Sequence, residues 1–479
     1  MTTANKDAAR TLVWLREDLR CADNPALHHA AEAGDVLPVY ILDTTNTRPL
    51  GAASKVWLYY SLKNLQKNLP LRVFKGDPQE IIPRLVKEHN LTGVYWNRGY
   101  TPGGIKRDEA IKSALKDGGI DARSFKGILL VEPWEVAPKT SEFYKVFTPF
   151  WKACLKKFDQ NPPETPIPAP QPTYIDATGE SLEDLGLRPK NKNWHEPMID
   201  HWQVGESAAM EKLKDFCQNT MTDYDQGRDR PDKKGTSTLS PHLHFGEVSP
   251  RQVYHEAVKA MERKQSRTDG GDVFLSEIGW REFSYNLIYN IPSLPDNPMQ
   301  EKFADFAWED NPDALKKWQR GQTGYPIVDA GMRQLWATGW MHNRVRMITA
   351  SFLIKDLLIH WKEGEEWFWD TLVDADMASN VAGWQWVAGC GADASPFFRI
   401  FNPITQGQKF DPGGDYVRKW VPELKDLPDD KIHAPWEASS RDLTLAGVAL
   451  GKDYPEPMVD HKAMREEALK RYKALKKDG

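Results

Sequence analysis

The stretch that decides the fold is residues 11–20, Thr-Leu-Val-Trp-Leu-Arg-Glu-Asp-Leu-Arg. Its first half, 11–15, is a short apolar run, which is typical of a strand buried on both faces. A charged turn, 16–20, follows where a dinucleotide-binding fold has its glycine-rich turn. Without those glycines the backbone cannot approach a pyrophosphate closely. The sequence therefore predicts a buried parallel strand and argues against a dinucleotide site of the usual kind at its end.

The same alternation continues over the first 130 residues, where short apolar runs are separated by amphipathic stretches. The predicted strands are 11–15, 36–42, 71–74, 94–96 and 124–131, and the predicted helices between them are 55–69, 78–89 and 104–117. Strands and helices of these lengths indicate a doubly wound parallel sheet. We expect an α/β domain over residues 10–135.

The pattern changes twice beyond this domain. Residues 136–205 include six prolines between 162 and 172, and we expect an interdomain linker there. Long helical periods then dominate residues 206–479, at 206–218, 250–264, 272–290, 326–338, 340–361, 364–373 and 457–475. The expected fold class is an α/β N-terminal doubly wound parallel sheet domain plus a large all-α C-terminal domain.

The composition is that of a globular protein and argues against several classes. No run of about 18 apolar residues could span a membrane, and residues 1–10 lack the apolar core of a signal peptide. The four cysteines are far apart and lack metal-ligand spacing, which argues against a disulfide scaffold or a zinc site. We expect a cytoplasmic protein with no membrane contact and no metal.

The charge distribution limits where nucleic acid could bind. The net charge is −5, yet residues 1–130 hold 19 basic and 14 acidic residues, so the rest of the chain is acidic. Because phosphate neutralisation depends on local charge, a nucleic-acid site in the second half must be a local basic patch. The 19 tryptophans indicate aromatic core packing or stacking platforms for flavins or bases.

A hydroxyl-rich segment follows Tyr224 and Arg228, and it reads Thr236-Ser237-Thr238-Leu239-Ser240. Taken alone, it is a loop or a helix cap. Its amides and hydroxyls could instead hold a pyrophosphate at a helix start.

A second candidate is the helix around 280–283, on which Glu277, Trp280 and Ser284 share one stripe. An amphipathic helix with Trp280 buried would explain the pattern. A carboxylate beside a tryptophan could also hydrogen-bond the edge of a flipped base while the ring stacks on it.

The stretch 340–347 places Asn343 and Met347 one turn apart and directs Arg344 and Arg346 to different sides of a helix. The arginines are either surface charges or phosphate contacts.

The densest polar cluster is Asp374-Ala375-Asp376-Met377-Ala378-Ser379-Asn380, which leads into Gly383-Trp384-Gln385-Trp386. Two aspartates suggest a metal, but no histidine or glutamate accompanies them at ligand spacing. A flavin pocket explains the cluster better. A carboxylate can hold ribityl or ring groups, while the neutral amide of Asn380 can meet the reactive flavin nitrogen without adding charge.

Eight motifs, in order along nearly the whole chain, resemble those of the photolyase and cryptochrome family. They are 14–20, 23–27, 236–240, 280–283, 324–330, 340–344, 374–380 and 383–386. The resemblance implies an N-terminal α/β antenna domain, a linker, and a C-terminal helical domain that holds a U-shaped FAD.

Carried over residue by residue, the resemblance also implies site residues. Those that would contact FAD are Tyr224, Thr236, Ser237, Thr238, Leu239, Ser240, Asp374, Asp376 and Asn380, with Asn380 beside the reduced ring. Those that would face DNA and the flipped dimer are Arg228, Glu277, Trp280, Asn343, Arg344, Met347, Trp386 and Gln406. The catalytic pocket would comprise Glu277, Trp280, Asn343, Met347, Asn380 and Trp386. The family's electron-transfer tryptophans match Trp308, Trp361 and Trp384.

The implied reaction is light-driven repair of cyclobutane pyrimidine dimers in DNA. Excited reduced flavin donates an electron to the dimer, the cyclobutane bonds split, and the electron returns. The protein supplies positioning and electrostatics. Glu277 would stabilise the added charge on the dimer most effectively if it were protonated. We expect a monomer that acts on dimer-containing DNA.

Three other functions compete with this one. A (6-4) photolyase carries acid/base histidines where this chain has Asn343 and Met347, and methionine cannot move a proton. A cryptochrome, which is a photoreceptor, often adds a long C-terminal tail, whereas this chain stops soon after 457–475. A flavoprotein that does not bind DNA would have no use for Arg228, Arg344 and Gln406.

The identity of a second, antenna chromophore stays open. One branch of the family holds a folate partly through an Asn-Glu pair, and the matching stretch here is Tyr100-Thr101-Pro102-Gly103-Gly104. A deazaflavin, a folate in another pose and an empty pocket are all compatible with the sequence.

Overall fold

The computed structural model of the protein describes residues 8–45, 48–263, 269–394 and 398–475. The chain divides into two compact units. Unit 1 comprises the described parts of Met1–Tyr144, Thr148–Asn219 and Ser237–Pro292, and unit 2 those of Lys145–Phe147, Thr220–Thr236 and Ser293–Gly479. The segment Ser237–Pro292 therefore belongs to the same unit as the sheet, although its sequence pattern is that of the helical domain.

Unit 1 contains a five-stranded parallel sheet in the order β3-β2-β1-β4-β5. The strands are β1 (Ala9–Leu15), β2 (Gly34–Asp43), β3 (Arg72–Gly76), β4 (Gly93–Asn97) and β5 (Asp121–Phe125). Leu12 of β1 lies opposite Leu37 of β2 on one side and Val94 of β4 on the other. All three are fully buried, as expected for the centre of a parallel sheet. The predicted doubly wound sheet is confirmed.

The strand predicted at 124–131 is wrong over most of its length, because β5 ends at Phe125. The apolar run that follows is buried, and both Leu130 and Val131 are 2% exposed. Their backbone N–H groups donate to Oε2 of Glu282 at 2.8 and 2.9 Å. These two amides are therefore bound by a side chain that is distant in sequence, and not by a neighbouring strand as the apolar pattern had indicated.

Helices make up most of the remaining chain. In order they are α1 (Pro25–Ala33), α2 (Ala52–Leu65), α3 (Pro78–Glu88), α4 (Pro102–Asp117), α5 (Phe147–Gln160), α6 (His195–Ile199), α7 (Glu206–Asn219), α8 (Tyr224–Gly227), α9 (Ser240–His244), α10 (Pro250–Arg263), α11 (Asp269–Asn290), α12 (Pro312–Gln319), α13 (Pro326–Thr338), α14 (Asn343–Ser351), α15 (Trp361–Thr371), α16 (Met377–Ala388), α17 (Pro403–Phe410), α18 (Asp415–Trp420), α19 (Ser440–Leu445) and α20 (His461–Ala474). Within the described ranges, none of them is both long enough and apolar enough to cross a membrane.

Most of the predicted helices are confirmed, with ends that differ by a few residues. Those at 55–69, 78–89, 104–117, 206–218, 250–264, 272–290, 326–338, 364–373 and 457–475 correspond to α2, α3, α4, α7, α10, α11, α13, α15 and α20. Residue 264 lies outside the described residues.

The single helix predicted at 340–361 is wrong, because two histidine caps divide the segment. Nδ1 of His342 accepts a hydrogen bond from the Arg344 amide at 3.2 Å, and α14 begins there. A π-helical turn, Phe352–Asp356, follows α14, and Leu358 then adopts a positive φ of 55°. Nδ1 of His360 accepts from the Lys362 amide at 3.1 Å, so α15 begins as a separate helix.

The predicted linker at 136–205 contains a helix, α5, that its sequence pattern did not indicate. The Phe150 ring of α5 lies 5.4 Å from the Phe283 ring of α11. A Cβ added at Gly279 of α11 would lie 2.6 Å from the Trp151 ring, so the helices approach at a position where only glycine fits. Helix α5 thus supports the helix that carries Glu277 and Trp280.

Candidate active site

Helix α11 presents Glu277 and Trp280 on one stripe, and both side chains are half-buried. The alternative of an amphipathic helix with Trp280 buried therefore holds only in part, because the ring is half-buried. Its ring packs edge-on against Phe283 at 5.8 Å. The hydroxyl of the buried Ser284 donates to the Trp280 carbonyl at 2.9 Å. Glu277 and Trp280 are consequently the members of the stripe that remain partly accessible.

Glu282 anchors the same helix, a role that was not predicted from the sequence. This residue is 1% exposed and lies 3.4 Å from Nη1 of Arg281, which itself donates to the Ile128 carbonyl at 2.7 Å. Burial raises the pKa of Glu282 to about 7, although Arg281 and the two bound amides act in the opposite direction. The signal in the sequence was an acidic residue next to the apolar Phe283, but its partners lie about 150 residues away.

The hydroxyl-rich segment is divided between the units, with Thr236 in unit 2 and 237–240 in unit 1. In unit 1, Thr238 has a φ of 49°, a left-handed conformation that is costly for a β-branched residue. Its hydroxyl accepts a hydrogen bond from Nζ of Lys212 at 2.9 Å. A strained turn beside a cation is more typical of a loop that binds an anion than of an ordinary helix cap.

The unit 2 part of this region begins at α8. Tyr224 is buried, and the Arg228 guanidinium lies 5.7 Å from its ring. A Cβ added at Gly235 would lie 2.3 Å from the carbonyl oxygen of Gly227. The chain therefore folds back on itself after α8, so that Gly235 lies against Gly227. This close approach fixes the position of Thr236, the next residue.

The two arginines of α14 pair with different carboxylates. Nη2 of Arg346 donates to Oδ2 of Asp374 at 2.7 Å. Nε and Nη2 of Arg344 donate to Asp229 over distances of 2.9–3.1 Å. The predicted divergence of the two arginines is confirmed, whereas neither carboxylate partner was predicted.

The other side chains at the start of α14 differ in exposure. Asn343 is exposed and Met347 is half-buried. The preceding His342 is 3% exposed, and burial lowers its pKa to about 4, so its ring is neutral near pH 7. Its Nδ1 caps α14, and within the described residues its buried Nε2 has no hydrogen-bond partner. His342 is thus a neutral imidazole with one ring nitrogen left for a ligand.

The acidic cluster holds the start of α16. Asp376 caps this helix by accepting from the Ser379 amide at 2.7 Å, and Asp374 forms the ion pair with Arg346. Nδ2 of the half-buried Asn380 donates to Oε1 of Glu365 at 2.7 Å and to its carbonyl oxygen at 3.1 Å. These bonds direct the other side of the amide, Oδ1, away from Glu365.

The three candidate electron-transfer tryptophans all lie in unit 2. Trp361 and Trp384 are 1% and 3% exposed, whereas Trp308 is half-buried. The Trp308 ring lies 5.0 Å from the ring of His360, which lies 5.6 Å from that of Trp361. The Trp384 ring contacts Phe368 at 4.9 Å. The ring of His360 between two tryptophans was not predicted.

Two further candidates, Trp386 and Gln406, are half-buried in unit 2. Trp386 lines a small cavity with Asp393, Arg399 and Phe401. Oε1 of Gln406 is buried and, in the part of the chain that the structure describes, has no hydrogen-bond partner. Gln406 therefore retains an acceptor for a bound molecule.

These groups have the chemistry that FAD requires. Nε2 of His342 and Oδ1 of Asn380 offer polar atoms to a heterocycle in unit 2. In unit 1, the cation of Lys212 beside the Thr238 hydroxyl is of a kind that binds phosphate. In unit 2, a neutral ring nitrogen and an amide oxygen are of the kind that bind the polar edge of a flavin ring.

Comparison with known proteins is consistent with this chemistry. Residues 11–171 match a family model described as DNA photolyase, and residues 274–474 match one described as the FAD binding domain of DNA photolyase. The deoxyribodipyrimidine photo-lyase of Agrobacterium fabrum is 49% identical over 98% of this chain and 98% of its own length. Cryptochrome-2 of Arabidopsis thaliana is 37% identical over 95% of this chain and 78% of its own length. The crystal structure of a class III photolyase from Agrobacterium tumefaciens gives a TM-score of 0.95 at 48% identity, covering 100% of this chain and 99% of that chain.

Proposed function

The chain belongs to the DNA photolyase and cryptochrome family, and from this premise we propose that it is a photolyase that splits cyclobutane pyrimidine dimers in DNA under light. The observation that carries the proposal is the pair on α11, where Glu277 and Trp280 are both half-buried and lie one turn apart. An extruded base needs a ring to stack on and a polar group at its edge. The relative in Agrobacterium fabrum named deoxyribodipyrimidine photo-lyase supports the same assignment.

FAD, when bound, supplies an electron on illumination. We propose that it is held by the side chains of Tyr224, Thr236, Ser237, Thr238, Leu239, Ser240, Asp374, Asp376 and Asn380. Asn380 presents Oδ1 as a hydrogen-bond acceptor because Glu365 holds its Nδ2. A neutral acceptor beside the ring orients the flavin without adding charge.

The remaining site residues would bind the DNA. Trp280 and Trp386 would stack on the extruded dimer, each contributing about 1–3 kcal/mol per base contact. Glu277 would hydrogen-bond the dimer and stabilise the negative charge that develops on it. Met347 would exclude water beside the dimer, so that this electrostatic contribution is not screened. Arg228 and Arg344 would contact DNA phosphates, and Asn343 and Gln406 would face the DNA and the extruded dimer, with the enzyme acting as a monomer.

The alternative (6-4) chemistry lacks a proton donor at α14. The resemblance places that activity's histidines at Asn343 and Met347, and neither side chain can serve as an acid. His342 does not replace them, because burial lowers its pKa to about 4 and its Nδ1 is used as a helix cap. The structure of α14 therefore favours dimer repair over (6-4) repair.

An antenna chromophore is a further part of the proposal, and its binding mode differs from the Asn-Glu pattern. Thr101 lies at the N-terminal end of α4, and Gly103 and Gly104 occupy the first turn of that helix. A Cβ added at Gly103 would meet nothing within 4 Å. Neither glycine offers a side chain to a folate, so we propose a folate held in another pose, a deazaflavin or an empty pocket. Absorbance and mass analysis of extracted chromophores distinguishes these three cases.

The deciding experiment is light-driven splitting of a defined thymine dimer by the fully reduced protein. We expect the thymine dimer to be split under blue or near-ultraviolet light and not in the dark. A (6-4) photoproduct offered as a control substrate should not be repaired. Light-induced flavin chemistry without any dimer splitting would contradict the proposal and favour the photoreceptor function of the cryptochrome relative.

A further inference from the structure

Arg344 is held side-on by Asp229, a residue outside all the sequence motifs. Nε of Arg344 lies 3.1 Å from Oδ1, and Nη2 lies 2.9 Å from each carboxylate oxygen. Both residues belong to unit 2. Three charge-assisted hydrogen bonds to one carboxylate restrict both the position and the rotation of a planar guanidinium.

A second contact restricts the face of the same guanidinium. Its Cζ lies 4.5 Å from the centre of the Phe410 ring, at the end of α17. Asp229 occupies the edge formed by Nε and Nη2, and Phe410 covers one face. The end formed by Nη1 points away from the carboxylate, and the Arg344 side chain is 19% exposed. The donors at that end are therefore pre-oriented for another acceptor.

We propose that Asp229 is a positioning residue that makes Arg344 discriminate between damaged and intact DNA. The inference rests on the proposed function, in which Arg344 contacts the DNA backbone. An unpaired arginine is a mobile cation that attracts any backbone phosphate. The paired arginine has no net charge at long range and keeps only short, directional N–H donors. A phosphate meets those donors only when the backbone adopts the shape that an extruded dimer imposes, so general affinity is lowered and selectivity is gained.

The same loop contains a matched control pair. Asp232, three residues from Asp229, accepts from Nε of Arg230 at 2.8 Å and forms a second contact with the same guanidinium. Asp229→Asn and Asp232→Asn change the net charge equally and at nearly the same place. Only the first removes the carboxylate that holds Arg344.

The test is equilibrium binding of the flavin-loaded variants to a duplex with one thymine dimer and to the same duplex without it, over a series of salt concentrations. For Asp229→Asn we expect tighter binding to intact DNA, a slope of log K against log salt steeper by about 0.9, and a several-fold loss of preference for the dimer. Asp232→Asn should shift both DNAs equally and keep the preference. In the Arg344→Ala background, Asp229→Asn should have no further effect on the preference.

A second variant, Asp229→Glu, keeps the charge but moves the carboxylate by one methylene. It should lower the preference for the dimer without steepening the salt slope, and it covers the case in which Asp229→Asn fails to fold. Flavin content and Tm report folding for each variant.

The outcomes separate this inference from the proposed function. A wild-type protein with no preference for dimer-containing DNA would refute both. If the wild type has the preference and Asp229→Asn behaves like Asp232→Asn, only the positioning role is refuted. An effect of Asp229→Asn that persists without Arg344 would refute it equally.

Discussion

Gly364→Ala should destabilise unit 2, because a Cβ at this position of α15 would overlap the ring of Trp384. The added atom would lie 2.1 Å from Cη2 of Trp384 and 2.7 Å from Cδ2 of Leu353. Neither neighbour can move freely. Trp384 is 3% exposed, Leu353 is fully buried, and the Trp384 ring is packed against Phe368 at 4.9 Å.

The size of the effect follows from two opposing terms. Alanine stabilises a helix interior by about 1 kcal/mol relative to glycine. Overpacking a rigid core costs about 1–3 kcal/mol, and distances this short favour the upper end of that range. The net loss is therefore about 2 kcal/mol, which corresponds to a fall in Tm of about 4–8 °C for a unit of this size.

The assay is thermal unfolding followed by far-ultraviolet circular dichroism and by flavin release, with Gly383→Ala as the control. Gly383 is also inside a helix, α16, and a Cβ there would meet nothing within 4 Å. Its Tm should stay the same or rise. A Gly364→Ala protein with a Tm at or above that of the wild type would refute the packing argument.

Three further predictions concern electron transfer, substrate binding and pH. Trp308→Phe should slow flavin photoreduction several-fold, because Trp308 is half-buried and its ring contacts that of His360. Chemically pre-reduced enzyme should still repair normally. Unchanged photoreduction with an external reductant would indicate that electrons take another route. Trp280→Ala should reduce the binding preference for dimer-containing DNA roughly tenfold, since about 1.4 kcal/mol is a factor of ten. Glu277→Ala should keep much of the binding and lower the repair yield per absorbed photon. The opposite pattern would show that the two residues have each other's role. The pKa of Glu282 is raised from 4.5 to about 7, so its contribution to the free energy of unfolding is complete below pH 4.5 and is lost as the pH rises through 7. Between pH 4.5 and 7 the free energy of unfolding of the wild type should fall by roughly 3 kcal/mol relative to that of Glu282→Gln. Chemical denaturation over this pH range measures it, and parallel pH profiles of the two proteins would contradict the prediction.

The sheet was predictable because its strands are encoded locally. Each run from 11–15 to 94–96 is short and mostly apolar, and β1 to β4 lie at those places. The prediction of a fifth strand over 124–131 was wrong over most of its length, because a local apolar pattern cannot distinguish a strand from another buried segment. Only the position of Glu282, which is distant in sequence, shows that the Leu130 and Val131 amides are bound by a side chain.

The sequence predicted candidate site residues, which stay predictions, but it did not predict which side chains pair with them. The motifs located Arg344 and Asn380, whose assigned roles stay predictions. Their partners Asp229 and Glu365 lie 115 and 15 residues away and belong to no pattern that the sequence displays. Such pairs depend on how helices pack, and His360 between Trp308 and Trp361 is a further example.

The assignment of Ser237–Pro292 to the sheet unit has a consequence for protein engineering. An exchange of halves between relatives at the proline-rich segment would separate α11 from the chain that supports it. Helix α11 depends on Trp151 beside Gly279 and on the Leu130 and Val131 amides at Glu282, all within unit 1. Chimeras that take Ser237–Pro292 together with the N-terminal sheet preserve these contacts, and libraries recombined after Pro292 should contain more folded members than libraries recombined at the linker.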